Sequence, residues 1–229
     1  MRKNIWLCLL LMGWMLIAPK AVSAAENRFY VYNASNGLSD NSAQTITCTL
    51  TGRLIITTSG QINFFDGQKF NFIDPEIDDF FPLPKYNGHY HLYFDHYHHL
   101  WLKHRGTVTC LNLTTERFVD SAKSVFAEFG FTDEILDMFG DERNEVWVLT
   151  AKGLTCSKEK ITIKVRGDLN LQDLSVSGEN TLMLFYENGL VEVFDLSKGT
   201  KMREFRMFDE ELADDYSETS VLHLSGNTI

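Results

Sequence analysis

The stretch Val146, Trp147, Val148, Leu149, Thr150, Ala151, Lys152, Gly153, Leu154 recurs along the chain, and that recurrence constrains the fold more than anything else in it. Forty-six residues earlier stand Leu100, Trp101 and Val108, and forty-six before those stand Leu54, Ile55 and Ile62. Other columns keep the same step, among them Ile46, Leu92, Met138 and Phe64, Cys110, Cys156. A fourth copy follows at a step of 36, with Leu182, Met183 and Leu190, and a fifth begins at Ser220. A repeat of this length marks units that cannot bury their apolar face alone and must stack on their neighbours.

The content of the unit selects the architecture. Around Trp147 four short apolar runs, at 135–139, 146–150, 154–157 and 161–165, are separated by turn chemistry. Four strands in about 46 residues make one blade of a β-propeller. Helical repeats of similar length are excluded by an alternation of two, as in Gln44, Ile46, Cys48, Leu50 against Thr45, Thr47, Thr49. The expected fold is therefore all-β: an incomplete propeller ring with blades at about 43–74, 89–120, 134–165 and 173–205 and the start of another at 220–229. Residues 27–32 read as the last strand of a blade whose other strands lie elsewhere. Pro75, Pro82 and Pro84 mark a connection outside the ladders, because proline cannot donate to one. Four blades and a fraction would leave open β-edges, so the expectation is the opening part of a longer reading frame or a truncated product.

Arg2 and Lys3, an apolar run over 5–18 and the small residues Val22, Ser23, Ala24 read as a secretory signal over 1–24, with 25–229 as the exported part. The rival is an uncleaved membrane anchor, against which the run is shorter than the ~20 residues a spanning helix needs. Membrane contact is expected only through such a leader or through downstream chain. The formal charge of -10 argues against nucleic acid as a partner, since phosphate binding needs a basic face. Beyond Cys8 in the leader, Cys48, Cys110 and Cys156 are an odd set, read as small apolar residues in preference to a disulfide.

Trp147, Thr150, Gly153 and Leu154, preceded by the polar turn 141–144, resemble the two-component regulator propeller repeat. Residues 52–60 with Phe65, Asp66 and Gly67 match it closely without the tryptophan, and residues 36–42 are similar to that family's segment between blades. The resemblance implies a periplasmic sensor region of a hybrid two-component histidine kinase, anchored in the inner membrane as a full-length homodimer and detecting oligosaccharides. The chain departs from the pattern at Met183 and Tyr186, and it carries no kinase, receiver or helix-turn-helix pattern.

No catalytic residue, metal ligand or cofactor is expected. His89, His91, His96, His98, His99 and His104 could in principle pair on a strand face to hold zinc or copper, but most fall where a solvated turn is expected. In a propeller the connections between blades and the turns between second and third strands open on one face around the central channel. Here they carry Ser39, Asn41, Thr58, Ser59, His104, Arg105, Lys152, Glu187 and Asn188, polar groups suited to sugar hydroxyls or a uronate carboxylate. The leading reading is a non-catalytic sensor segment that binds a small carbohydrate. The alternatives are an exported lyase or hydrolase using the histidine-rich blade, and a scaffold for protein contacts.

Overall fold

The computed structural model describes residues 29–209 except 50, 60, 77–78, 87–90 and 179. The proposed leader, His89 and the proposed start of a fifth blade lie outside the described residues. Within them the chain forms antiparallel sheets in chain order. The first holds β1 (Thr45–Cys48), β2 (Leu54–Thr57), β3 (Ile62–Phe65) and β4 (Phe70–Ile73). The second holds β5 (Phe81–Pro82), β6 (His91–Phe94), β7 (His99–His104), β8 (Thr107–Asn112) and β9 (Arg117–Phe118). The third holds β10 (Asp137–Gly140), β11 (Val146–Thr150), β12 (Gly153–Cys156) and β13 (Thr162–Ile163). The fourth holds β14 (Leu171–Ser177), β15 (Thr181–Tyr186), β16 (Leu190–Asp195) and β17 (Thr200–Arg206). The first, third and fourth sheets are up-and-down meanders; in the second, β6 to β9 form the meander and β5 adds to β8, with Trp101 opposite Cys110 there and Trp147 opposite Cys156 in the third.

Alternation along the strands makes each middle sheet two-faced. Leu100, Leu102 and Leu111 pack with Ile55, Ile62 and Phe64 of the first sheet. Trp101, Val108 and Cys110, on the opposite face, pack with Met138, Val146 and Val148 of the third. Phe139, Trp147 and Leu154 turn in the other direction, onto Leu174, Leu182 and Leu184 of the fourth. The sheets therefore stack face to face in sequence order, and each indole points toward the following sheet. Full burial of each such side chain contributes about 1.5–3 kcal/mol.

The first strands of the sheets approach one another, β6 against β10 and β10 against β14. Gly140 is required there: a Cβ on it would stand 2.6 Å from the Cβ of Tyr93. Tyr93 also reaches past the third sheet to donate its hydroxyl to Asp173 of the fourth at 3.5 Å. Strands β6, β10 and β14 thus converge on a common line.

Two expectations are corrected, and one connection carries an element the sequence analysis did not assign. Phe29–Tyr32 form no strand; these side chains are exposed, and the segment leads into a 3-10 turn at Ala34–Asn36 capped by Asn33. Pro82 does stand in a ladder: Phe81 and Pro82 pair with Val108 and Thr107 at the outer edge of β8. Strand β9 pairs only Leu111 and Asn112, so the near end of β8 stays open for an edge strand, where a missing donor can be tolerated. Finally, a helix α1 (Ala122–Glu128) joins the second and third sheets. Ser121 caps it, Ala122, Val125 and Phe126 form its buried stripe, and Phe126 stacks on the Trp101 indole with centroids 4.8 Å apart.

Candidate functional site

The turn between β11 and β12 shows why Thr-x-x-Gly recurs. Thr150 pairs with Gly153; its hydroxyl donates to the Gly153 carbonyl at 3.3 Å and accepts the Lys152 amide at 3.1 Å. Gly153 has φ +135°, and a Cβ there would lie 2.4 Å from the Ile163 carbonyl oxygen. The turn is thereby held against β13, with Lys152 at its tip. On the opposite end of the sheets Asp141 accepts the Trp147 indole at 2.9 Å, as Asp95 accepts that of Trp101 at 2.8 Å.

Thr45, His91 and Asp137 open the first strands of three sheets in one column, and Asp173 continues it at the shorter step. Cross-strand partners of these residues include Lys103, which faces His91 in the register. Lys103 is fully buried, and its Nζ lies 2.7 Å from Asp137 Oδ1. The Tyr86 and Phe139 rings sit with centroids 4.1 Å from the ammonium, in cation–π contact. The ion pair lacks well-aligned hydrogen-bond geometry at Nζ. Burial pulls the Lys103 ammonium below its usual pKa against the attraction of Asp137, and burial raises the Asp137 carboxyl against the attraction of Lys103. The pair bonds the second sheet to the third.

Asp137 forms part of the floor of a cavity of about 370 Å³ between the third and fourth sheets. Leu149 and Leu171 complete that floor, and Lys85, Lys152, Lys164, Arg166 and Asn170 stand around it. Each rim residue is delivered by a different device. The 151–152 turn carries Lys152, the connection from β13 to β14 carries Lys164 to Asn170, and Lys85 is brought over by β5, its amide donating to the Leu136 carbonyl at 3.0 Å. The cavity opens on the end of the sheets that carries the β11–β12 turn and the inter-sheet connections.

Of the residues expected at a ligand face, Lys152 lines this cavity, with its ammonium 2.8 Å from Asp133. Glu187 borders it indirectly, accepting the Asn170 side-chain amide at 2.8 Å. His104 lines a separate cavity of about 200 Å³ with Gln61, Pro75 and Phe80. Ser39 and Thr58 join hydroxyls at 2.9 Å, Ser39 also donating its amide to Asn63, while Asn41 accepts the Ala34 amide at 2.8 Å. Asn188 accepts the Leu190 amide at 3.1 Å through its side chain. Ser59 and Arg105 are exposed at turn tips, Arg105 with φ +49°. The structure thus gathers Lys152 and the partner of Glu187, and leaves the others at separate turns.

Sequence reasoning missed Lys85, Lys164, Arg166, Asn170 and Asp137. Asp137 could have been found, because the column Thr45, His91, Asp137, Asp173 is polar where a strand start in a packed sheet is expected to be apolar. No local pattern marks Lys85, whose position depends on the β5 crossing. The histidines are engaged apart from one another: His99 contacts Asp95 at 2.9 Å and His96 contacts Glu145 at 2.8 Å. Among the described residues no group of three or more His, Cys, Asp or Glu is placed to hold a metal ion. Cys48, Cys110 and Cys156 are free thiols, and burial pushes Cys156 up to about 12.

No protein-family model and no curated protein matches the chain. Among solved structures it is similar to the extracellular domain of BT3049 from B. thetaiotaomicron, described as a hybrid two-component system. Identity is 16%, the TM-score 0.48, and the match covers 76% of this chain and 26% of that one. For the extracellular domain of BT4673 from the same organism the values are 18%, 0.47, 79% and 26%. For PorZ of Porphyromonas gingivalis, described as a surface component of the type-IX secretion system, they are 14%, 0.49, 75% and 23%. The chain spans about a quarter of the length of these structures. Among its described residues no helix is long and apolar enough to cross a membrane.

Proposed function

We propose that the chain is a non-catalytic, exported β-propeller segment that senses a short oligosaccharide for a two-component signalling protein. The sheets are its blades, and the line on which β6, β10 and β14 converge is the propeller axis. The observation that carries the reading is the cavity between the third and fourth sheets, on the end that bears the inter-sheet connections. The resemblance of the Trp147 to Leu154 stretch to a sensor repeat supplies the signalling context.

The cavity floor offers a route from binding to packing. Asp137 lines the cavity and is also the partner of Lys103, so a ligand that polarises Asp137 acts on the contact between the second and third sheets. Sensing requires that the ligand favour one arrangement over another. In the full-length protein that difference would pass to a homodimer in the inner membrane.

The test is a thermal-melting screen of the chain against pools of neutral and acidic oligosaccharides. A ligand at 100 times its Kd stabilises the folded state by about 2.7 kcal/mol. The reading predicts a raised midpoint with at least one glycan pool that is lost when Lys152 and Asn170 are both replaced by Ala. No shift with any glycan contradicts it.

A further inference from the structure

We infer that the cavity between the third and fourth sheets selects acidic oligosaccharides, binding a carboxylate or sulfate through Lys85 and Lys164. The inference rests on the sensing function proposed above and names the ligand class of that site. Its starting point is charge: the chain is acidic overall, with a formal charge of -10, yet Lys85, Lys152, Lys164 and Arg166 meet around one opening.

These four cations are not equivalent. Lys152 is compensated by Asp133 at 2.8 Å, and Arg166 by Glu192 at 3.4 Å and Glu204 at 3.8 Å. Lys85 and Lys164 are exposed and make no ion pair or side-chain hydrogen bond with any described residue. They reach the opening from connections far apart in the chain, one between β5 and β6 of the second sheet and one between β13 and β14. An acidic group entering this opening meets two ammonium groups that no described carboxylate engages. The remaining lining suits the rest of a sugar. Asn170 keeps amide chemistry at the rim, fixed by Glu187, and Leu149 and Leu171 give an apolar floor for a ring face.

The test is calorimetric titration of the full chain with trigalacturonate, a sulfated glycosaminoglycan tetrasaccharide and maltotriose, at low and high salt. At least one acidic probe should bind ten-fold or more tightly than maltotriose, and its affinity should fall as salt rises. Lys85→Gln with Lys164→Gln should weaken that probe ten-fold or more without moving the melting midpoint of the free protein. The two acidic probes distinguish carboxylate from sulfate as the recognised group. Maltotriose binding as tightly as both acidic probes would overturn the inference while leaving the sensing function standing, as would acidic binding indifferent to the double substitution. Binding of none of the three, with no response in the melting screen, would overturn both.

Discussion

The indole of Trp147 donates its N–H to Asp141 Oδ2 at 2.9 Å, from a side chain that is completely buried. The same carboxylate accepts the backbone amides of Arg143 and Glu145, so a single acid ties the turn before β11 to the core between the third and fourth sheets. Asp95 does this for Trp101 and the amides of Tyr97 and His99 one repeat earlier. In the first sheet the equivalent positions are Thr49 and Ile55; no indole needs a partner there, and Thr49 instead accepts the Arg53 amide at 3.1 Å.

Asp141→Ala strands a buried donor together with two turn amides, and a buried unsatisfied group costs about 1–3 kcal/mol. The substitution should lower the urea midpoint by an amount in or above that range. Trp147→Phe, which removes the donor as well, should cost less in the Asp141→Ala background than in the wild type. Additive losses would show that the two side chains do not act together.

Gly153→Ala forces a methyl group to within 2.4 Å of the Ile163 carbonyl, at a backbone angle of +135° that other residues rarely adopt. A loss of about 1–3 kcal/mol is expected from chemical denaturation. Gly52→Ala is the control: its φ is +83°, but nothing lies within 4 Å of the added carbon, so it carries the conformational cost alone and should lose less.

Lys103→Met leaves Asp137 buried without its cation, and removing one partner of a buried pair costs about 3–5 kcal/mol. The double variant Lys103→Met with Asp137→Leu should recover much of that loss, since neither charge remains to be desolvated. Equilibrium unfolding of the two single variants and the double one measures the coupling. A double variant no more stable than Lys103→Met would contradict the assignment.

Burial by itself would raise the Asp95 carboxyl, but the His99 side chain and amide and the Trp101 indole outweigh it and hold the group below its ordinary value. A depressed carboxyl contributes stability that is present above the unfolded value, about 3.9, and is lost as pH falls through the folded one. Urea midpoints measured from pH 6 down to pH 3 should therefore fall more steeply for the wild type than for Asp95→Asn. Parallel curves would rule out that contribution.

The register of the sheets was legible because apolar columns at a step of 46 fix which strand faces which, and a slip of one residue would turn Trp101 or Trp147 to the wrong face. Strands β11 and β12 lie where their sequence puts them for that reason. Helix α1 was not legible: at seven residues its stripe of Ala122, Val125 and Phe126 is too short to stand out, and its purpose is to cover an indole 21 residues before it in the chain. The ligand-facing turns were identified as a class, yet Ser39, Asn41 and Thr58 were drawn into bonds that hold the lead-in and the first sheet, as polar turn residues commonly are. Lys85 could not be assigned to the cavity without knowing that β5 joins the edge of β8.

Hydrogen exchange at the indole nitrogens, followed by nitrogen-15 spectroscopy, tests most directly whether the second and third repeats are equivalent sheets. Trp101 and Trp147 should both show strongly protected indole protons, with Asp95→Ala releasing the first and Asp141→Ala the second. Rapid exchange at either indole in the wild-type protein, or a response to the wrong substitution, would contradict the account.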